Sequence, residues 1–232
     1  MIFVTGDTHG GHDLSKLNSK SFPEGKTLSK SDYVIVAGDF GFVWDGGKED
    51  QYWLKWFDAK PFTTLFVDGN HENFDLLGAY PTSLWNGGKV HRINESVIHL
   101  MRGQVFLIDN LKIFTFGGAE SWDVDDSNRI QGESWWAQEM ATEEEFDVGR
   151  ENLALSNWAV DYVVTHCCPS RLLAKVSTKD SEKLKRNRLT DYLDNLALQV
   201  SFKRWYFGHY HNDQTIDDIY RLLYNDIVRI QI

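Results

Sequence analysis

Cysteine is scarce in this chain, with two in 232 residues, adjacent at Cys167 and Cys168. Neighbours in sequence cannot bridge each other without strain, so no disulfide framework is expected, and the composition fits a reducing compartment, the cytoplasm. Long hydrophobic runs are lacking too. The opening MIFVTGDTHG holds only four apolar positions in succession and no basic lead-in, and no run approaches the roughly 18 apolar residues of a spanning helix, which argues against export and membrane insertion. Positive charge is in deficit: 24 Lys and Arg against 34 Asp and Glu leave a net charge of -10. That balance disfavours a nucleic-acid track or an anionic membrane, although a local cationic centre such as bound metal would still attract a phosphate. The glycine pairs in DGGKED and NGGKV lack the GxxxxGK[ST] pattern of a nucleotide loop. What remains, 42% hydrophobic and 14% aromatic, suffices for a sizeable core and one globular domain over residues 1–232.

Three short apolar runs, MIFVTG, YVIVAG and TTLFVDG, end in glycine and are followed by Asp7, Asp39 and Asn70. Their spacing of about thirty residues predicts successive strand, helix, strand units. Between the second and third, KEDQYWLKWFDAK places Tyr52, Trp53, Trp56 and Phe57 on one face of an amphipathic helix, where core packing explains the aromatics better than a ligand box. SVIHLMRGQVFLIDNLKIFTFGG predicts three strands broken at Arg102-Gly103 and Asp109-Asn110, an antiparallel meander. From Ala119 to Met140 the chain is acidic, rich in tryptophan and aperiodic, as functional loops often are. ATEEEFDVGRENLALSNW predicts a helix opened by Thr142, and the strand VDYVVTH follows. A helix around SEKLKRNRLTDYLDNLAL precedes FKRWYFGHYH, YRLLYN and DIVRIQI, read as paired strands.

The polar residues that follow these strands share one chemistry. They are Asp7 and His9 in GDTHG, Asp39 in GDFG, Asn70 and His71 in GNHE, His166 in VVTHCCP, and His209 and His211 in GHYH. In an open α/β sheet, side chains beyond the carboxyl ends of strands converge on one crevice. All except His71 are then oxygen or imidazole donors suited to two divalent ions, Mn, Fe, Zn, Co or Ni, with Asp39 able to bridge them. Such a pair, about 3.5–4 Å apart, clamps a phosphoryl group. Asn70 offers a neutral carbonyl oxygen, while His71 stands beside the ions, free to carry a proton. Glu72 is expected to favour the start of the helix HENFDLLGAY. His12, His91 and His99 read as surface or satisfied core residues.

In that order, GDTHG, GDFG, GNHE, a later TH and GHYH resemble the calcineurin-like metallophosphoesterase superfamily, over Gly6 to His211. The resemblance implies a four-layer αββα sandwich with two mixed β-sheets and a dinuclear site between loops. By it, Asp7, His9 and His211 would hold one ion and Asn70, His166 and His209 the other, with Asp39 bridging. A hydroxide between the ions would attack phosphorus, and His71 would protonate the leaving group. The protein Ser/Thr phosphatase branch reads GDxVDRG where this chain reads GDFGFVWDGG. Phe42 and Val43 therefore occupy the places of the acid that orients the catalytic histidine and the arginine that grips phosphate. The expected activity is hydrolysis of a phosphomonoester or phosphodiester, with a small phosphodiester or nucleotide-like substrate preferred. The alternatives are a protein Ser/Thr phosphatase and a non-catalytic, metal-stabilised interaction module on the same fold.

Arg129, in the aperiodic loop, is expected to bind substrate in place of the missing arginine, against the plainer reading of an ion pair with Asp125 or Asp126. Trp135 and Trp136 would either stack on a base or aromatic leaving group or pin the loop to the body. Asp45 reads as a turn residue and the cysteines as packing. Nothing in the sequence reports on oligomeric state.

Overall fold

The computed structural model describes residues 1–124, 129–178, 182 and 184–231. Its first sheet begins with β1 (Ile2–Thr5), β2 (Tyr33–Val36) and β3 (Thr63–Phe66), which are parallel neighbours. The chain continues through β4 (Thr82–Trp85), β5 (Gly88–Asn94), β6 (Val97–Leu100), β7 (Gln104–Ile108) and β8 (Leu111–Phe116). Strands β9 (Tyr162–Thr165), β10 (Arg204–Phe207), β11 (Gln214–Ile216), β12 (Tyr220–Leu222) and β13 (Ile227–Arg229) complete two mixed sheets. The seven-stranded sheet runs β13-β1-β2-β3-β6-β5-β4 and the six-stranded sheet β11-β12-β10-β9-β8-β7.

Strand periodicity sorts the apolar side chains into layers. In the first sheet Ile2, Val4, Ile35 and Leu65 join the same cluster as Ile113, Val164 and Tyr206 of the second, so this cluster lies between the sheets. The alternate residues Phe3, Val34, Val36 and Phe66 meet Leu54 and Phe57 of α1 (Lys48–Asp58). On the far side Phe114, Val163, Trp205 and Phe207 meet α3 (Glu143–Leu155) through Phe146 and Leu153, and α4 (Arg188–Gln199) through Leu189, Leu193 and Leu196. Helix, sheet, sheet, helix is the four-layer αββα sandwich. Thr142 opens α3 as expected, accepting a hydrogen bond from the Glu145 amide. Among the described residues no helix is long and apolar enough to cross a membrane.

Several local expectations are corrected. The link from β1 to β2 carries two 3-10 turns rather than an α-helix. The meander is split, because β6 pairs with β3 and β5 in the first sheet whereas β7 and β8 form an antiparallel pair in the second. YRLLYN and DIVRIQI also part, β12 joining the second sheet and β13 the first. The aromatic face of α1 is uneven: Phe57 is fully buried, Trp53 and Trp56 partly, and Tyr52 is 62% exposed. α4 starts later than expected, at Arg188, and residues 179–181 and 183 lie outside the described residues.

Arg102, read as a turn residue, makes the crossing between sheets and is buried there. Its Nε and Nη2 donate to Asp68 Oδ2 at 2.8 and 2.6 Å, and its Nη1 to Glu145 at 3.1 Å; His99 Nε2 lies 3.1 Å from Asp68 Oδ1. Burial opposes ionisation of Asp68, but Arg102 and His99 outweigh it and hold the carboxyl well below its ordinary value. The stabilisation is therefore complete above the unfolded carboxylate range and is lost progressively as pH falls from there through the lowered folded value. Asp68→Asn strands a buried guanidinium, and denaturant unfolding is expected to show a loss of about 3–5 kcal/mol at neutral pH.

Candidate metal centre

The loops beyond β1, β2, β3, β9 and β10 meet between the sheets. Asp7, Asp39, Asn70 and His166 are buried, while His9, His71 and His209 are partly exposed. Donor atoms of Asp7, His9, Asp39 and His211 all lie within 4.8 Å of one another, as do those of Asp39, His166 and His209. Asp39 is common to both groups. His9 Nε2 stands 3.1 Å from Asp39 Oδ2, His166 Nε2 3.3 Å from the same oxygen, and His211 Nε2 3.3 Å from Asp7 Oδ2. Asn70 joins the second group through Oδ1, 3.3 Å from His166 Nε2, while its amide nitrogen donates to Ser121 at 3.1 Å.

This convergence needs backbone shapes that ordinary residues avoid. His9, Asp39, His209 and His211 have φ of 42, 47, 69 and 49°, in the left-handed region that costs a side-chain-bearing residue energy. Loop-to-loop bonds offset that strain: the Thr8 and His9 amides both donate to the Asp39 carbonyl, at 3.0 and 2.8 Å. Close approach explains the glycines before the donors. A Cβ on Gly69 would lie 2.1 Å from Asp39 Oδ1, and one on Gly38 2.0 Å from His166 Nδ1.

The electrostatics centre on two buried carboxylates facing each other. Burial opposes the charge on Asp39, and His166 and His9 overcome it, leaving the carboxyl well below its usual value. In turn burial resists protonation of His166 and His9, yet Asp39 draws both up to about 9. His209 behaves oppositely: burial and neighbouring His166 push it down to about 3, a neutral imidazole with a lone pair to offer. Two carboxylates that demand positive charge, beside imidazole and amide donors, suit divalent cations, which would supply that charge and displace the protons.

Supporting residues escaped the sequence reading. Asp13 accepts from His9 Nδ1 at 2.7 Å and from the Tyr224 hydroxyl at 2.8 Å, and the Tyr224 ring stacks on His211 at 4.9 Å. One carboxylate and one phenol thereby fix two imidazoles of the same donor group. Lys16, also buried, donates to the carbonyls of Gly6, Asp7 and Tyr224, tying the β1 loop to the chain after β12. Glu72 is not a helix-start acid. The helix α2 (Phe74–Ala79) is capped by Asn73, whereas Glu72 is wholly buried and accepts from the Phe40 and Gly41 amides at 2.7 and 3.2 Å, clamping the loop that carries Asp39. Only the Glu that follows Asn70-His71 in GNHE offered a hint, and its partners lie some thirty residues away.

His71 is held by its backbone, whose N–H donates to Asp39 Oδ1 at 2.8 Å. Its ring meets His9 edge-on at 5.3 Å, and among the described residues no side chain hydrogen-bonds it. Burial lowers its pKa, with the positive charges of His9, His166 and Arg129 acting the same way against Asp39, which raises it. Phe42 and Val43 are buried in the core beneath α1, so apolar packing replaces an acid and an arginine there. Arg129 lies close enough to act electrostatically on His71, and its Nε and Nη2 are buried without a hydrogen-bond partner among the described residues. Its ion pair is with Asp123 at 3.5 Å; Asp125 and Asp126 lie outside the described residues. Trp136 pins the loop, donating from Nε1 to Asp75 at 2.8 Å and packing edge-on against Trp44, and Trp135 bridges to Gln131. Asp45 accepts from the Gly47 amide at 2.6 Å, a turn role. Cys167 and Cys168 are free and buried, and burial pushes both thiols up, Cys168 to about 12.

A cleft of about 680 Å³ reaches the centre beside His9, His71 and His211, and another of about 450 Å³ reaches it beside His209 and Ser121. A comparison with curated proteins found no match. A family model for calcineurin-like phosphoesterase matches residues 1–213. With the match running from β1 past the last of the converging histidines, the chain belongs to the calcineurin-like phosphoesterase family.

Proposed function

We propose that this protein is a dinuclear metal-dependent phosphoesterase acting on a small phosphodiester or nucleotide-like substrate. The observation that carries the reading is the sharing of Asp39 between two donor groups. Asp7, His9 and His211 would hold one ion and Asn70, His166 and His209 the other, with Asp39 shared between them. When bound, the ions supply Lewis-acid charge and lower the pKa of water towards neutrality. The chain's own groups do the rest. Arg129, whose Nε is buried without a hydrogen-bond partner among the described residues and whose Nη2 has only the 3.5 Å ion pair with Asp123, turns these nitrogens to phosphate oxygens. His71, fixed through its backbone and open to the larger cleft, delivers a proton to the departing oxygen.

The donor chemistry admits Mn, Fe, Zn, Co or Ni, and buried free thiols agree with a reducing, cytoplasmic setting. Phe42 and Val43 speak against the protein phosphatase reading. A retained donor set speaks against a non-catalytic module. Elemental analysis together with turnover of a panel of phosphomonoesters and phosphodiesters tests the proposal. Two ions per chain and chelator-sensitive turnover restored by Mn²⁺ are expected; a metal-free, fully stable protein inert towards every ester would establish the interaction module instead.

Asp13 is expected to matter through His9. Asp13→Ala should weaken Mn²⁺ binding roughly tenfold to a hundredfold, measured by calorimetric titration. Unaltered affinity would leave the Asp13 contact without a role in the centre.

A further inference from the structure

The two clefts open on different donor groups. The larger is bordered by His9, His71 and His211, and Trp44 and Trp53 also line it. The smaller is bordered by His209, Ser121 and Asn187, with Trp122 at its mouth; that indole is 50% exposed, its ring 6.1 Å from the His209 ring. His71 borders only the larger cleft. A proton donor must stand beside the oxygen that leaves, so the leaving alcohol lies in the larger cleft. A monoester has no second arm to place in the smaller one. A diester has two.

Resting on the phosphoesterase reading, we propose that the substrate is a small phosphodiester seated across both clefts, with its leaving alcohol against Trp53 and its retained arm against Trp122. Flat indole walls on both sides favour arms with an aromatic or other planar face. The leaving alcohol is neutral or cationic, because Asp45 and Glu49 face the larger cleft and no lysine or arginine among the described residues lines it. A chain of further phosphates would be repelled there, which separates this substrate from a polynucleotide entering by that side. Trp53 packs against the core as expected from the sequence and, being only half-buried, also borders the cleft, its indole 3.6 Å from where a Cβ on Gly11 would stand.

The test uses esters with one leaving group and different retained arms: bis(4-nitrophenyl) phosphate, methyl 4-nitrophenyl phosphate and 4-nitrophenyl phosphate, with the Mn²⁺-loaded full chain. Trp122→Ala is expected to lower kcat/KM for the bis-aryl diester roughly tenfold more than for the monoester, with Trp122→Phe recovering most of the difference and the methyl diester showing little of it. Trp53→Ala should lower all three together, leaving their ratios within about twofold. An equal effect of Trp122→Ala on all three esters, or none on any, overturns the two-cleft assignment while leaving the phosphoesterase intact. Absence of turnover by the metal-loaded parent on all three overturns both.

Discussion

Asp39→Asn is expected to lower kcat/KM for phosphate esters roughly a thousandfold or more, about 4 kcal/mol of transition-state stabilisation, and to cut metal content at the same time. The size follows from position. Among the described residues Asp39 alone is common to both groups, and its carboxylate also receives the His71 amide, so one substitution removes one of the two oxygens needed to serve both groups together with the negative charge, and weakens the acceptor that anchors the proton donor. The neutral amide keeps the shape, and the loop retains its backbone bonds from Thr8 and His9, so the variant should fold. Steady-state kinetics paired with metal analysis checks it; more than a tenth of parental activity with full metal content would remove Asp39 from the centre.

His71→Ala separates chemistry from metal binding. Metal content should be retained, because His71 offers no atom to either donor group. Turnover should fall about 10²- to 10⁴-fold for alkyl esters, whose leaving oxygens need a proton, and much less for 4-nitrophenyl esters, whose phenolate departs unaided. A uniform loss across leaving groups would assign His71 to positioning rather than proton delivery. With no side chain among the described residues hydrogen-bonded to its ring, its protonation follows burial and the charges of the centre, so the same experiment tests whether a histidine without such a partner suffices.

The sequence by itself determined the inventory. Glycine-bounded strands of period two, followed by Asp, Asn and His, carry the donors in the right order, and alternation alone sorts Phe3 from Val4 and Ile35 from Val36 into separate layers. Strand partners were another matter. Arg102-Gly103 reads locally as a hairpin turn, yet the chain changes sheets there, because a buried arginine finds its carboxylate at Asp68 and not in its neighbours. Glu72 likewise carries no local mark of its task, which is to hold two amides from another loop.

Tertiary structure alone decided how the inventory becomes a centre. It placed Asp13 between His9 and Tyr224, set Lys16 under three carbonyls, turned four donor residues into left-handed backbone and opened two clefts onto opposite donor groups. The physical reason is one of range. Periodicity and turn chemistry act over a few residues and leave a trace in the text, whereas the burial of a charge is decided by whichever remote group arrives to compensate it, and that is known only once the chain has closed on itself.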